Sequence, residues 1–292
     1  MVTTVVTTTG GSALQFVAIG TQWQIDSARP LEVKVQASVA RLIERFDRTW
    51  SRFRGDSLVH TIAATPGRYE FGPEAPALFD VYRKLYECTE GRVSPLVGRA
   101  LEQSGYDRAY SLQPRAVSTI PRWTDAIAWD GTHLTTVSPV VIDVGAAGKG
   151  YLVDLVAREL TAAGVDSFTI DASGDIVHRG ARPLRVALEH PRNASIAIGI
   201  ANVQRALCAS ASNRRAWADT HHIIDALTGL PTRDVIATWV VADTGLIADG
   251  VATALFFVDA GRLREEFEFE HVRMFASGRV ESSAGFDGEV FV

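Results

Sequence analysis

The chain has 292 residues, of which 47% are hydrophobic, and its formal net charge at pH 7 is −5. A chain of this length and apolar content can bury a large core, and its length permits one large domain or two. No Lys/Arg cluster forms a stripe and the pI is near 5.8, which argues against a nucleic-acid partner.

The N-terminal region has neither a basic segment with a long apolar stretch nor a hydrophobic run of membrane-spanning length. We therefore predict no signal peptide, no membrane span and a cytoplasmic location. Residues 1–13, rich in Thr, Val and Gly, are predicted to form a flexible segment or a first edge strand. Residues 14–292 are predicted to form a single α+β domain with mixed or antiparallel sheets flanked by helices.

Apolar residues recur along the chain, in some segments with the period of a strand and in others with that of a helix. The predicted elements of the first half are a strand over Leu14–Ile25 interrupted at Gly20-Thr21, helices over Leu31–Phe53 and Ala75–Cys88, and a polar, irregular region with short strands over 111–140. Those of the second half are strands over Leu184–Leu188 and Ile196–Ala201, a loop over 209–220, a strand over Val235–Val241, a helix over Leu246–Val258, and strands near Val272–Ala276 and Glu289–Val292. The two cysteines, Cys88 and Cys208, lack metal-ligand spacing and are predicted to be buried reduced thiols.

The segment from Asp143 to Asp175 carries the most information about function. An apolar run ends at Asp143, and a glycine-rich turn over 145–150 contains one lysine, Lys149, before an amphipathic helix. A second apolar run, Ser167–Ile170, ends in another small-residue turn, Asp171–Asp175. Helix starts beside glycine turns bind anions, because free N–H groups and the helix dipole face the ligand. The segment therefore suggests a phosphorylated ligand.

The two standard phosphate-binding loops do not match this segment. A Walker A loop needs a glycine where Asp143 stands and a Ser or Thr where Gly150 stands. The dinucleotide fingerprint has the opposite order of glycines. A tight turn without a ligand thus remains the alternative interpretation of the glycines.

Asp249 and Thr253 are spaced i, i+4 in a predicted helix of small and apolar residues. This spacing places a carboxylate and a hydroxyl on one face, one turn apart. Oxygen ligands suit Mg²⁺, which keeps several waters and uses few protein ligands. The alternative is a solvated or capping pair, although a buried Asp needs a cation or several donors.

A second polar cluster runs from His221 to Gly229, where His222 and Asp225 could meet across a turn. The alternative is a strand end followed by a hydrogen-bonded turn. At the end of the first long helix, a group of polar residues is predicted to cap the helix or face solvent, with bracing of a site as the less favoured role. These residues are Ser51, Arg52, Arg54, Asp56 and Ser57.

Seven motifs in order, together spanning roughly Ala18 to Val258, resemble those of the ApbE family, the FAD:protein FMN transferases. Ala18–Thr21 resembles A-M-G-T, Phe46–Ser57 resembles D-x-x-x-S-x-F-x-x-x-S, Gly91–Val97 resembles G-x-F-D-P-T-V, Ile142–Asp154 resembles I-D-L-G-A-I-A-K-G-Y-x-x-D, Asp171–Asp175 resembles N-x-G-G-D, His222–Gly229 resembles H-I-I-D-P-x-T-G, and Ala248–Thr253 resembles A-D-A-L-A-T. The resemblance implies an enzyme that uses FAD and Mg²⁺ and passes FMN to a Thr or Ser hydroxyl of an acceptor protein, with release of AMP.

By matching position, the resemblance also assigns roles to single residues. Mg²⁺ would be held by Asp249, Thr253 and the backbone oxygen of Ala146. The flavin nucleotide would be contacted by Asp143 and Lys149, and its pocket would be lined by Ile19, Val93, Ser94, Pro95, Ser173 and Gly174. His222 would lie near the reacting phosphate as general base, oriented by Asp225. We therefore expect the 145–150 turn and the Asp249–Thr253 helix to meet at one cleft.

Several positions depart from the family pattern. Ser94 replaces Asp, Ala147-Gly148 replaces Ile-Ala, Ser173 replaces the first Gly of its turn, Ala211 replaces a frequent Gly, Ala226 replaces Pro, and the export signal usual in bacterial members is absent. These departures predict a divergent branch. Two alternatives to FMN transfer stay open, namely a FAD pyrophosphatase that releases FMN and AMP, and a flavin-binding or carrier protein without turnover.

Overall fold

The computed structural model describes residues 11–217 and 220–291. Its helices are α1 (Val33–Trp50), α2 (Leu58–Ala64), α3 (Ala75–Cys88), α4 (Gly98–Gln103), α5 (Trp123–Ala126), α6 (Gly148–Ala162), α7 (Gly245–Ala254), α8 (Ala260–Leu263) and a 3-10 helix over Pro95–Val97. Its strands are β1 (Ser12–Ala18), β2 (Thr21–Ser27), β3 (Arg68–Glu70), β4 (Ile127–Trp129), β5 (His133–Thr136), β6 (Phe168–Asp171), β7 (Asp175–Arg179), β8 (Leu184–His190), β9 (Asn193–Val203), β10 (Ala206–Ala211), β11 (Ala216–Trp217), β12 (Thr220–His221), β13 (Val235–Ala242), β14 (Glu270–Phe275), β15 (Val280–Ser282) and β16 (Gly288–Val290). None of the helices in these ranges is both long and apolar enough to cross a membrane.

Within the described ranges, eight strands form the main sheet in the order β1-β2-β6-β7-β10-β13-β14-β15. Every neighbouring pair in this sheet is antiparallel. Smaller antiparallel sheets have the orders β16-β9-β8, β3-β5-β4 and β11-β12. The predicted α+β class, with antiparallel sheets flanked by helices, is confirmed.

The two faces of the main sheet pack against different partners. Alternate residues of a strand point to opposite faces, and β13 shows the consequence. Val240 packs into the core formed with α1, α3, α6 and α7, whereas Trp239 packs into a second core shared with β8 and β9. The main sheet is thus the middle layer, with helices on one face and the β16-β9-β8 sheet on the other.

Among the predicted elements, the amphipathic helices have bounds that agree best with the structure. Helix α3 has the predicted bounds and is followed by Gly91 in the left-handed region, with φ of 90°. Helix α1 is shorter than predicted and ends at Trp50, and α7 ends at Ala254 rather than Val258. β1 begins at Ser12, within the predicted flexible segment over 1–13, and residues 1–10 of that segment lie outside the described ranges.

Strand β10 was missed, so the predicted loop over 209–220 is wrong at 209–211, where β10 ends. It is also wrong at 216–217 and at 220, where β11 and β12 pair. The β10 segment reads ALCASA, and small side chains have weak strand propensity. Pairing with β7 on one side and β13 on the other determines its conformation instead. Both cysteines are buried free thiols, as predicted.

Helices α6 and α7 cross in direct backbone contact at Gly150 and Gly245. A Cβ atom built on Gly150 would lie 2.2 Å from the carbonyl oxygen of Gly245, and one on Gly245 would lie 2.5 Å from that of Gly150. Asp154 of α6 accepts hydrogen bonds from the N–H groups of Gly245 (2.7 Å) and Leu246 (2.8 Å). Asp154 thus caps the start of α7 and fixes the second helix against the first.

Gly150→Ala is expected to destabilise the protein by about 1–3 kcal/mol, because the added methyl group overlaps the backbone of α7. The free energy of unfolding from denaturant titration measures this. Gly261→Ala is the matched control, since a Cβ there meets nothing within 4 Å in a helical position. It should leave stability unchanged or raise it by up to about 1 kcal/mol. Equal stabilities of the two variants would contradict this account of the helix crossing.

Candidate active site

A cleft of about 1330 Å³ opens at the N-terminal end of α6. Its walls come from the end of α1, the 143–149 segment, the turn between β6 and β7, the segment between β10 and β11, and α7. Ten of the residues predicted for the site line it, namely Ile19, Val93, Ser94, Asp143, Ala146, Lys149, Ser173, His222, Asp249 and Thr253. The expectation that the glycine turn and the Asp249–Thr253 helix meet at one cleft is confirmed.

Three oxygen-bearing groups meet where α7 touches the glycine turn. The Thr253 hydroxyl donates to the carbonyl oxygen of Ala146 at 3.2 Å. One turn earlier, Asp249 Oδ2 accepts from the N–H of Gly150 at 2.9 Å. Burial and the neighbouring Asp175 raise the pKa of Asp249 well above its usual value. A buried carboxylate with only partial compensation favours a bound cation.

Lys149 is charged and held by the second turn. Its ammonium donates to the carbonyl oxygen of Ala172 at 2.9 Å and lies 2.8 Å from Asp175 Oδ2. Burial alone would lower the pKa of Lys149, but the carboxylates of Asp175 and Asp249 raise it overall. Lys149 therefore already has an acidic partner, Asp175, before it makes the predicted contact with a ligand phosphate.

Arg52 and Asp143 form a buried ion pair that sequence reasoning missed. Arg52 Nε donates to Asp143 Oδ2 at 2.5 Å, and Nη1 donates to the carbonyl oxygen of Tyr106 at 2.8 Å. Burial alone would raise the pKa of Asp143, but Arg52 lowers it overall. Arg52 is 5% exposed, so its predicted capping or solvent-facing role is wrong. Its position at the end of the predicted amphipathic helix Leu31–Phe53 was the available signal.

Four non-glycine residues of the cleft wall, Ile19, Tyr110, Leu112 and Ser173, have left-handed backbone conformations, and two of them lie in turns of the main sheet. Ile19 has φ of 44° in the two-residue turn between β1 and β2, and Ser173 has φ of 56° in the turn between β6 and β7. The Ser173 hydroxyl donates to the carbonyl oxygen of Gln22 at 2.9 Å and joins its turn to the start of β2. Such conformations are rare for a β-branched residue and concentrate at ligand sites, where the surrounding structure enforces them.

The turn at Ser94 keeps its shape despite the departure from Asp. Ser94 Oγ accepts from the N–H of Leu96 at 3.2 Å, and so caps the 3-10 helix as an Asp would. Pro95 is buried, does not line the cleft, and its carbonyl accepts from the N–H of Asp143 at 2.8 Å. Gly174 also lies outside the described cleft lining, and its N–H donates to Asp171 Oδ1 at 2.8 Å.

His222 faces the cleft, whereas its neighbour His221 does not line it. Burial, together with the positive charge of Arg215, lowers the pKa of His222 to about 3. Its Nδ1 is buried and has no hydrogen-bond partner within the described part of the chain. The ring of His221 instead lies 2.7 Å from the carbonyl oxygen of Thr232 and accepts from the N–H of Ile223 at 3.2 Å. His222 is thus a neutral imidazole at the site, and His221 is a structural residue.

The predicted pairing of His222 with Asp225 is wrong. Asp225 Oδ2 accepts from Arg92 Nη1 at 2.5 Å, and Oδ1 accepts from the N–H of Leu227 at 2.8 Å. The carboxylate therefore closes its own turn and ties that turn to the Gly91–Val97 segment. Ala226 reinforces the link, because its N–H donates to the Arg92 carbonyl at 3.0 Å. A proline at position 226 has no N–H for this bond.

A sequence model of the ApbE family matches residues 19–275. The chain belongs to the ApbE family. Among curated relatives, it is 27% identical over 263 residues to the FAD:protein FMN transferase of Rhodobacter capsulatus and 24% identical over 264 residues to that of Haemophilus influenzae. The matches cover 82% and 81% of this chain. They span 50% of the Rhodobacter relative's length and 73% of the Haemophilus relative's length.

Solved structures of this family share the fold. The flavin transferase ApbE from Vibrio cholerae aligns with a TM-score of 0.80 and 21% identity, covering 94% of this chain and 98% of that one. The ApbE protein from Thermotoga maritima aligns with a TM-score of 0.81 and 23% identity, covering 94% and 97% of the two chains. The ApbE architecture therefore extends over nearly all of this chain.

Proposed function

We propose that this protein is an FMN transferase that uses FAD and Mg²⁺, attaches FMN to a Thr or Ser hydroxyl of an acceptor protein and releases AMP. One observation carries the proposal, which is that Lys149 at the start of α6 and the Asp249/Thr253 pair of α7 line one cleft in a chain of the ApbE family. The names of its relatives, FAD:protein FMN transferases, support the same donor and the same reaction class. The cleft volume of about 1330 Å³ exceeds that typical of drug-sized ligands and suits a dinucleotide.

The donor set at the Asp249 corner fits Mg²⁺. Within the described ranges, no group of three or more His, Cys, Asp or Glu side chains is placed to hold a metal. A metal here would depend on one carboxylate from Asp249, the Thr253 hydroxyl and the Ala146 carbonyl. Such a mixed oxygen set with few protein ligands is what Mg²⁺ accepts, because it retains waters and binds substrate phosphates. The raised pKa of Asp249, caused by burial, supports a cation at this position.

In the proposed reaction, the acceptor hydroxyl oxygen forms a new bond to the phosphorus of the FMN half of FAD. The bond from that phosphorus to the bridging oxygen breaks, AMP leaves with the bridging oxygen, and the hydroxyl proton passes to a base. When bound, Mg²⁺ would neutralise charge on the non-bridging phosphate oxygens.

The chain's own groups supply the remaining functions. The positive end of the α6 dipole and the Lys149 ammonium would attract the phosphates. His222 would accept the proton of the acceptor hydroxyl, for which it must be unprotonated. Its lowered pKa ensures this at neutral pH, and the arrival of an anionic pyrophosphate would raise the pKa toward a range where the imidazole is a stronger base.

Incubation of the pure protein with FAD and Mg²⁺ tests the proposal, with AMP release as the readout. Co-expression with a candidate acceptor then separates transfer from hydrolysis, since only transfer leaves flavin covalently attached to protein after denaturation. AMP release without covalent attachment of flavin to any of the acceptor proteins tested would favour the pyrophosphatase. FAD binding without AMP release would favour a flavin carrier. Either result would overturn the proposed transfer.

Lys149→Met is expected to weaken FAD binding by about 10- to 100-fold and riboflavin binding much less, because the amine is proposed to meet phosphate rather than the ring. Fluorescence titration of both flavins measures the two affinities. Removing Lys149 alone also leaves Asp175 as a buried unpaired carboxylate, which costs about 3–5 kcal/mol. The Lys149→Met/Asp175→Asn double variant, with Asp175→Asn as its control, separates this loss of stability from the loss of phosphate binding. Equal losses for FAD and riboflavin in the double variant would place the amine away from phosphate.

A further inference from the structure

The cleft contains five arginines and one lysine, and the structure distinguishes them by their partners. Within the described ranges, five of these six cations lie within 4 Å of a carboxylate. The pairs are Arg52 with Asp143, Arg54 with Glu44, Asp47 and Asp56, Arg92 with Asp225, Lys149 with Asp175, and Arg214 with Glu189. The sixth, Arg215, has no carboxylate partner among the described residues. Among the described residues of the cleft, its positive charge is therefore the least compensated.

Arg215 lies beside two stacked aromatic rings of the cleft, those of Tyr106 and Trp217, and its backbone is bonded to that of His222. Its guanidinium carbon lies 5.6 Å from the ring centroid of Tyr106, which stacks on Trp217 at 5.6 Å. Its carbonyl oxygen accepts from the N–H of His222 at 3.2 Å, and this bond links the two residues across the hairpin. Contact with an aromatic face leaves the in-plane N–H donors of a guanidinium available for a ligand.

The charge of Arg215 also affects the titration of other groups that line the cleft. It lowers the pKa of His222, after the larger effect of burial, and it also helps to lower the pKa of Asp143. A positive charge with this reach, in a cleft with low-dielectric walls, attracts an anion to the space between these residues. Arginine is well suited to phosphate, because its planar fork donates two parallel hydrogen bonds.

We infer that Arg215 binds the non-bridging oxygens of the FAD pyrophosphate directly and is a catalytic residue of this protein. The inference rests on the proposed function, since it takes FAD as the ligand of the cleft. As the phosphorus–oxygen bond breaks, charge grows on the departing AMP phosphate, and a positioned guanidinium stabilises it. Arg215 thereby adds to the Lys149 and Mg²⁺ contacts a cation from a different element of the fold.

Arg215→Gln tests the inference by fluorescence titration with FAD and with riboflavin, both without Mg²⁺, so that binding is read independently of turnover. FAD affinity should fall by about 10- to 100-fold and riboflavin affinity should stay within about threefold. Arg215→Lys should recover part of the FAD affinity, because it keeps the charge but loses the fork. Arg214→Gln is the neighbouring control. Because Glu189 lies 3.6 Å from Arg214, that variant should change FAD affinity by less than about fivefold.

Two results would overturn the inference while leaving the proposed function intact. One is wild-type FAD affinity in Arg215→Gln. The other is an equal fall for FAD and riboflavin with a lowered melting temperature, which would assign Arg215 a structural role against Tyr106. Failure of the proposed function would look different, since the wild-type protein itself would then release no AMP from FAD. In steady-state assays the inference also requires Arg215→Gln to lower kcat by about 10²-fold or more at saturating FAD.

Discussion

Replacing Asp249 by alanine is expected to reduce Mg²⁺-dependent AMP release from FAD by at least about 10³-fold while the protein remains folded. The proposed metal contributes several kcal/mol of charge stabilisation to the transition state, and Asp249 is its only carboxylate ligand in the proposal. Asp249→Asn should lose nearly as much, because it keeps the shape and the acceptor for the Gly150 N–H but loses the charge. The Asp249 variants should remain folded, because burial of the ionised Asp249 carboxylate costs free energy in the native state and the substitutions remove that cost.

Thermal unfolding with and without Mg²⁺ gives a second readout of the same site. A cation that binds the native state raises the melting temperature with its concentration. This rise should occur in the wild type and be absent in both Asp249 variants. Asp154→Asn is the matched control, because Asp154 is a buried carboxylate on the same helix pair but does not line the cleft. It should lower stability by about 1 kcal/mol through its weakened cap and keep the Mg²⁺ response. Unchanged AMP release in Asp249→Ala would remove the metal assignment.

His222→Gln is expected to slow FMN transfer by about 10²- to 10⁴-fold while FAD binding changes little. A positioned base acts on the acceptor hydroxyl in the transition state and contributes little to binding of the resting donor. Rates at saturating FAD, compared with FAD affinity from fluorescence titration, separate the two effects. His221→Gln is the control, because both nitrogens of that ring are engaged by Thr232 and Ile223. That variant should lose about 1 kcal/mol of stability and keep its rate per folded molecule.

The direction in which folding stability changes with pH provides a further test of His222. Burial lowers the pKa of His222 to about 3, below the usual 6.5, so between these values the unfolded chain binds a proton that the folded protein does not. Stability must therefore fall as pH falls from about 6.5 toward 3, and His222→Gln should remove that part of the fall. The acidic limb of the pH–rate profile should disappear in the same variant only. Identical transfer rates for wild type and His222→Gln would exclude the base role.

The sequence was sufficient for features that depend on local pattern. Helix α3 was predicted with its observed bounds, because its apolar residues repeat with helical period and Gly91 follows its end. The lining of the cleft was largely predicted as well, because ordered motifs carry the identity of a residue even when its neighbours in space are unknown. Lys149, Asp249 and Thr253 were assigned in this way and lie together.

Contacts between distant segments could not be predicted in the same way, because no local pattern records the partner. The short residues of β10 form a strand because β7 and β13 supply hydrogen bonds on both edges. Arg52 resembles a capping residue, but the fold buries it against Asp143, 91 positions away. Asp225 follows His222 closely in sequence, but Arg92 takes its carboxylate.

The sequence by itself determined the family, the helix and strand periods, and which residue types gather at the cleft, since each of these is encoded in spacing along one segment. Only the tertiary structure decided the charge state of the site. Whether a cationic side chain can serve a ligand depends on which carboxylate reaches it first, and that is set by packing between segments. For this reason Lys149, the lysine of the predicted motif, is already paired with Asp175, while Arg215, which no motif singled out, has no carboxylate partner within the described ranges.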